Sequence, residues 1–242
     1  MSLRLALLTN YPLVDNVRWK RDFVLNCKTN GFDIDVYYGK KDIKSLLFSY
    51  LKKRKYSNSV AKRIQGNSIK NKLYFKKNGH NVNSFKNLNS EKAISRIQEG
   101  NYDIIITALD QILSKNFITK VNTKIVNVHY GMLPEIKGTS ALEWTYFCYN
   151  KCEITLHYID AGIDTGVIID RKEITVAMPI SFSKLRGEVQ KHIPNIINNF
   201  LIKIEKNESL NTFANDQGDL YTFMHQDLVE IIEKRNESLY NT

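Results

Sequence analysis

Three polar residues in the second half of the chain have the chemistry needed for acyl transfer. Asn127 and His129 alternate with apolar residues in a short run, so both side chains leave the same face of a strand near its end. Asp164 follows later, in an Asp-Thr-Gly loop. An amide can donate to a developing oxyanion, a histidine can take a proton from an attacking amine, and a carboxylate can orient that histidine. Each residue alone is also typical of an ordinary turn, but together they predict transfer of a one-carbon acyl group between nitrogens, without a metal.

A longer pattern surrounds these three residues. Asn-x-His is followed by Leu133-Pro134, by Lys137-Gly138, and then by Leu-His-x-x-Asp-x-Gly-x-Asp-x-Gly over residues 156–166. In this order the elements resemble the formyltetrahydrofolate-dependent formyltransferases, over roughly residues 104–173. That family includes enzymes acting on glycinamide ribonucleotide, methionyl-tRNA and nucleotide-linked amino sugars. The resemblance implies that Asn127, His129 and Asp164 are catalytic and that His157 supports Asp164.

The same resemblance implies a co-substrate, 10-formyltetrahydrofolate, and two segments that bind it. In the family these segments hold the pteridine mainly through backbone groups, so their side chains are free to vary. The residues in these places are Gln111, Ile112, Leu113, Ile159, Asp160, Ala161, Gly162 and Ile163. The sequence departs from the family pattern at Tyr130-Gly131-Met132 and at Glu135-Ile136. These departures affect the prediction of which amine accepts the formyl group, and not the prediction of formyl transfer itself.

Strands that alternate with helices must position these residues. The apolar runs and amphipathic spacings predict an α/β fold, a Rossmann-like doubly wound, mostly parallel sheet that binds ligands at the carboxyl ends of its strands. Strands are predicted at residues 3–8, 34–38, 82–85, 103–107, 125–129, 154–158 and 167–174. Helices are predicted at residues 16–31, 42–53, 90–98 and 141–149, with a turn at Lys137-Gly138.

The last third of the chain is predicted to end the catalytic domain and to add a small extension. One long helix is expected from about Ser181 to Lys206, with an apolar stripe on one face. A turn at residues 215–218 between two short strands, followed by a helix at residues 227–234, indicates a C-terminal hairpin and helix. We therefore predict a catalytic domain over residues 1–206 and an extension over residues 207–242.

The chain of 242 residues carries a net charge of +10, with an excess of lysine and arginine in the segment Lys52 to Lys77. Such a charge favours anionic partners, and a nucleic-acid-binding protein without catalytic activity stays open as a remote alternative. No RNA-binding signature is present, and the three cysteines do not have the spacing of a zinc site. The N-terminal apolar run is too short for a signal or a membrane span, which predicts a cytoplasmic protein with no membrane partner.

The acceptor is predicted to be a nucleotide-linked amino sugar, with dTDP-4-amino-4,6-dideoxyglucose for surface polysaccharide favoured by the resemblance. The first strand ends at Thr9-Asn10-Tyr11-Pro12 and lacks the Gly/Ser-rich phosphate loop of the glycinamide ribonucleotide enzyme. Glycinamide ribonucleotide remains the main alternative acceptor, and the amine of a free amino acid or a peptide is a third possibility. Residues predicted to bind the acceptor are Asn10, Tyr11, Arg18 and Met132. The resemblance also predicts a homodimer.

Overall fold

The computed structural model describes residues 2–10, 17–39, 68–109, 111–177 and 181–240. Tyr11, the helix predicted at residues 42–53 and residues 52–67 of the basic segment lie outside the described residues.

Within the described residues, seven strands form one sheet in the order β3-β2-β1-β4-β5-β7-β8. They are β1 (Arg4–Thr9), β2 (Asp33–Gly39), β3 (Val82–Phe85), β4 (Ile104–Ala108), β5 (Lys124–His129), β7 (Glu153–Tyr158) and β8 (Ile168–Glu173). The sheet is mostly parallel and helices flank it, which confirms the predicted α/β class. The chain divides into two compact units, Met1–Val126 and Asn127–Thr242.

The first unit contains the parallel strands β1 to β4. Here β1 lies between β2 and β4, and its residues are buried from Leu5 onward, as expected for a strand covered on both faces. The helices of this unit are α1 (Arg18–Thr29), α2 (Ser68–Lys77), α3 (Glu91–Gln98) and α4 (Lys115–Val121). The Ser90 hydroxyl caps α3 by accepting from the backbone N–H of Ala93 at 3.4 Å, so the predicted start of this helix is confirmed.

The second unit contains the antiparallel pair β7 and β8 and a separate two-stranded sheet. That small sheet pairs β6 (Ile136–Gly138) in parallel with β9 (Asp219–Tyr221). The helices of this unit are α5 (Ala141–Tyr149), α6 (Phe182–Gln190), α7 (Ile193–Glu205) and α8 (Gln226–Tyr240). Helix α5 has the bounds that the sequence predicted.

The single helix predicted from Ser181 to Lys206 is wrong, because the chain forms α6 and α7 with a break at Lys191 and His192. Pro194 stands in the first turn of α7. A proline has no N–H to donate and its ring clashes with the carbonyl four residues earlier, so a helix restarts at this point more readily than it continues. The backbone N–H groups of Lys191 and His192 close α6 instead, by bonding back three residues to Glu188 and Val189.

Two local predictions in this unit are also wrong. Lys137 and Gly138 do not form a turn; they belong to β6, whose partner Leu220-Tyr221 lies far along the chain. The predicted C-terminal hairpin is absent from the described residues, because β9 pairs with β6 and Phe213 forms a bridge with Ile168. The strands β6 and β9 are only three residues long, and each forms because the other lies beside it. The local sequence of either segment does not indicate that partner.

No helix in the described part of the chain is long and apolar enough to cross a membrane. The division at residues 206 and 207 stays a prediction.

Candidate active site

The second unit brings the three predicted catalytic residues together. Asn127 and His129 occupy alternate positions at the end of β5, and Asp164 lies in the loop between β7 and β8. His129 Nδ1 is 3.4 Å from one carboxylate oxygen of Asp164, and its side chain is only 5% exposed. The alternation read from the sequence therefore places the amide and the imidazole correctly, and the fold adds the carboxylate.

The backbone fixes the tautomer of His129. Its Nε2 lies 2.8 Å from the carbonyl oxygen of Ile136, which can only accept a hydrogen bond, so Nε2 carries the proton of the neutral ring. Nδ1 consequently holds a lone pair and faces the Asp164 carboxylate. The atom of His129 that can take up a proton is therefore Nδ1, and the resulting imidazolium would lie beside a negative charge.

Burial sets the charge state of His129. Loss of solvent lowers the pKa of this histidine, and the Asp164 carboxylate, which raises the pKa, does not fully offset it. A buried histidine with a lowered pKa is neutral at pH 7 and can act as a base.

Asp164 is held as an anion by its surroundings. Burial raises its pKa, but the side chain of His157, the positive charge of His129 when that imidazole is protonated, and the backbone N–H of Gly138 outweigh this and lower the pKa to about 2. The Gly138 N–H donates to the carboxylate at 2.9 Å. This donor comes from β6, the strand that the sequence failed to predict.

His157 links Asn127 to Asp164. Its Nδ1 donates to the carbonyl oxygen of Tyr158 at 2.9 Å, so its Nε2 has the lone pair and accepts from the Asn127 amide at 3.1 Å. The same Nε2 lies 3.5 Å from the second oxygen of Asp164. The supporting role predicted for His157 matches this geometry, but its contact with Asn127 has no signal in the sequence beyond the histidine itself.

His129, His157 and Asp164 each offer one ligand atom, and these atoms lie within 4.8 Å of one another, close enough to hold a metal ion. The Asn127 amide, however, already donates to the nitrogen that His157 would present. A metal at this place would have to displace the amide. The hydrogen bonds of the cluster therefore fit proton transfer better than metal binding.

The first of the two predicted folate segments lies in the first unit, after β4. Gln111 donates to the side chain of Asn87 at 2.7 Å. Asn89 donates to the carbonyl oxygen of Ile112 and accepts from the N–H of Ser114, so it holds the segment from both sides. Ile112 is 69% exposed, whereas Leu113 is buried. The two asparagines were not predicted from the sequence.

The second predicted folate segment, residues 159–163, is an exposed loop of the second unit. Asp160 stabilises it by accepting from the N–H of Gly162 at 3.0 Å and from the Thr165 hydroxyl at 2.6 Å. Ile163 is 44% exposed, and Ala161 is exposed as well. The two carboxylates of the predicted motif thus have different contacts, since Asp160 stabilises the loop and Asp164 lies beside His129 and His157.

The structure describes three of the four residues predicted to bind the acceptor, and each lies within one of the two compact units. Asn10 follows β1, and Arg18 begins α1 with its side chain 88% exposed and near Asp22. Met132 is 8% exposed in the second unit, where its N–H donates to Thr145. Binding of the acceptor by these residues stays a prediction.

A buried lysine of α1 contacts the end of β1, and the sequence did not predict it. Lys20 is 3% exposed, and its ammonium donates to the Thr9 hydroxyl at 2.6 Å and to the carbonyl oxygen of Ala108 at 3.5 Å. It joins the carboxyl ends of the parallel neighbours β1 and β4. Its position in the first turn of an amphipathic helix gave no reason to expect burial of the charge.

Comparison with known proteins agrees with the fold. The family model described as formyl transferase matches residues 50–201. The methionyl-tRNA formyltransferase of Finegoldia magna is 22% identical over 167 residues, which cover 67% of this chain and 54% of that protein. The chain spans about half the length of the curated relatives it matches.

Two solved structures illustrate the range of similar folds. Phosphoribosylglycinamide formyltransferase from Anaplasma phagocytophilum aligns with a TM-score of 0.64 and 17% identity, over 93% of this chain and 99% of that chain. The formyltransferase PseJ from Anoxybacillus kamchatkensis, in complex with UDP-4,6-dideoxy-4-formamido-L-AltNAc and tetrahydrofolate, aligns with a TM-score of 0.54 and 18% identity, over 90% of this chain and 85% of that chain. At these identities the likeness concerns the fold alone.

Proposed function

Because the chain belongs to the formyl transferase family, we propose that it moves a formyl group from 10-formyltetrahydrofolate to the amine of a nucleotide-linked amino sugar. The observation that carries this proposal is the cluster of Asn127, His129, His157 and Asp164, in which one buried imidazole is neutral and one carboxylate is ionised. A neutral imidazole can take the proton of the attacking amine, and an ionised carboxylate stabilises the imidazolium that forms.

The proposed reaction is a direct transfer. The amine nitrogen attacks the formyl carbon, and Nδ1 of His129 takes the proton that the amine loses. The Asn127 amide contacts His157, and we assign the amide as a donor to the oxyanion that forms on the formyl oxygen. The bond to the folate nitrogen then breaks, and that nitrogen receives the proton from the His129 imidazolium, which restores the neutral imidazole. A formamide and tetrahydrofolate leave.

Asp164 contributes by its charge. When His129 becomes an imidazolium, the carboxylate 3.4 Å away stabilises it in a site from which most water is excluded. The Gly138 N–H keeps the carboxylate oriented during this step.

A nucleotide-linked amino sugar is the acceptor class we favour, with dTDP-4-amino-4,6-dideoxyglucose as the first candidate. The sequence that follows β1 lacks a Gly/Ser-rich phosphate segment, and a protein of similar fold was solved with a formamido sugar nucleotide and tetrahydrofolate. Glycinamide ribonucleotide is the second candidate, since a formyltransferase for it has a similar fold over nearly all of this chain. The predicted homodimer and cytoplasmic location stay predictions.

Mass spectrometry after incubation with 10-formyltetrahydrofolate tests the proposal. The acceptor panel consists of nucleotide-linked amino sugars with different bases and amine positions, together with glycinamide ribonucleotide. We expect one added formyl group on a dTDP-linked 4-amino sugar, and a loss of at least a hundredfold in the His129→Ala variant. If only glycinamide ribonucleotide gained a formyl group, it would be the acceptor and the nucleotide-linked amino sugar would be ruled out. If no member of the panel gained a formyl group, the proposed function would be contradicted.

A further inference from the structure

Asn215 binds the loop that carries Asp164. It lies in the segment between α7 and β9, and it is only 5% exposed. Its side-chain nitrogen Nδ2 donates to the carbonyl oxygen of Asp164 at 2.9 Å and to that of Gly166 at 2.8 Å. One amide therefore fixes the backbone on both sides of Thr165, next to the catalytic carboxylate.

The Asp164 loop has a backbone that needs such support. Asp164 adopts a left-handed conformation with φ of 52°, which is unfavourable for a residue with a side chain. Gly166 passes so close to Tyr158 that a Cβ atom would lie 1.9 Å from the Tyr158 carbonyl oxygen. The loop is thus confined at Gly166 and held by Asn215 at the two carbonyls, which leaves Asp164 little freedom to turn away from His129.

The same C-terminal segment also supports the donor to the Asp164 carboxylate. Gly138 pairs with Tyr221 in the small sheet, and the buried side chain of Lys137 donates to the Asn215 carbonyl oxygen at 3.2 Å. Residues 215–221 therefore contact both the loop that carries Asp164 and the strand that donates to it.

We propose that Asn215 is a positioning residue for formyl transfer, acting through the Asp164 loop, and that the segment from Asn215 to Tyr221 is an integral part of the catalytic site. The inference rests on the proposed function. It assigns a catalytic purpose to a segment that the sequence placed in a separate extension.

A double-mutant cycle tests this inference in the full chain. Asn215→Leu keeps the branched shape of the side chain and removes both of its N–H donors. The matched control is Asn236→Leu, since Asn236 is a comparably buried asparagine on α8. Each change is made in the wild-type chain and in the Asp164→Asn background, and single-turnover rates, the KM for the formyl donor and thermal unfolding are measured.

We expect Asn215→Leu to lower kcat at least tenfold in the wild-type background, with the KM for the formyl donor changed less than about threefold. In the Asp164→Asn background the same change should cost less than about twofold, because the charge that Asn215 positions is already gone. The Asn236→Leu control should leave kcat within about twofold in both backgrounds.

An equal loss in both backgrounds would show a general structural role and overturn the inference, as would wild-type kcat in Asn215→Leu. If that variant does not fold, Asn215→Ser takes its place, with the same expected difference between backgrounds. Failure of the proposed function can be told apart from failure of this inference alone. In the first case the wild-type chain transfers no formyl group to any acceptor, and the inference fails with it; in the second case the wild-type chain is active and only the expected difference between backgrounds is missing.

Discussion

Replacement of Asp164 with asparagine removes one negative charge from the proposed catalytic cluster and keeps the shape of the side chain. The amide oxygen can still accept from the Gly138 N–H, so the loop should stay in place. What is lost is the attraction between the carboxylate and the imidazolium that His129 becomes during the reaction. At the observed 3.4 Å and an effective dielectric constant of about 20, this attraction is about 5 kcal/mol.

Reorientation of dipoles and of nearby water will recover part of that energy in the variant. We therefore expect kcat to fall by about a thousandfold, which corresponds to about 4 kcal/mol. The KM for the formyl donor should change little, because the lost interaction is strongest in the transition state.

The pH profile gives a second, independent signature of the same change. Burial lowers the pKa of His129, and the Asp164 carboxylate raises it. Removal of that charge should lower the pKa of His129 further, so the acidic limb of kcat/KM should move to lower pH in Asp164→Asn.

Asp160→Asn is the matched control, since it makes the same substitution in the same loop. Asp160 uses one carboxylate oxygen to accept from Gly162 and Thr165, and an asparagine can accept through its amide oxygen in the same way. This control should keep kcat within a few-fold of the wild type. A loss of less than tenfold in Asp164→Asn, or an acidic limb that moves to higher pH, would refute the role given to the Asp164 charge.

Two further predictions concern the oxyanion and the stability of the first unit. Asn127→Ala should lower kcat by about a hundredfold to a thousandfold, as for loss of one oxyanion donor, and a loss confined to KM in steady-state assays would contradict this. Ser90→Ala should lower the free energy of unfolding by about 1 kcal/mol in urea titrations, because α3 loses its capping acceptor, while kcat stays unchanged. Ser95→Ala, in the exposed middle of the same helix, is the control and should not destabilise the protein.

The sequence predicted those features whose causes are local. Alternation in β5 placed Asn127 and His129, and the Ser90 cap together with apolar spacing gave α3. The apolar runs predicted β1 and β4 because a parallel strand buried on both faces needs only a continuous apolar segment. In each case the residues that determine the element lie within it or directly beside it.

The predictions that failed depend on partners far along the chain. Nothing in Lys137-Gly138 indicates a strand until Leu220-Tyr221 is placed beside it. The same is true of Asn215, whose burial follows from its contacts with the Asp164 loop and with Lys137. The break between α6 and α7 is different, because it has a local cause in Pro194, although the apolar spacing continues on both sides of the break.

The chemistry of the cluster depends on a further kind of information, the positions of backbone carbonyl groups. The carbonyls of Ile136 and Tyr158 decide which nitrogen of each histidine carries a proton, and thereby direct both lone pairs toward Asp164 and Asn127. Neither carbonyl is specified by a side chain that a motif could show. Ile136 belongs to β6, which the C-terminal strand β9 holds in place, so the base atom of His129 depends on residues about ninety positions away. A motif can thus indicate the candidate catalytic histidine, but only the paired strands determine which of its ring nitrogens is left to accept a proton.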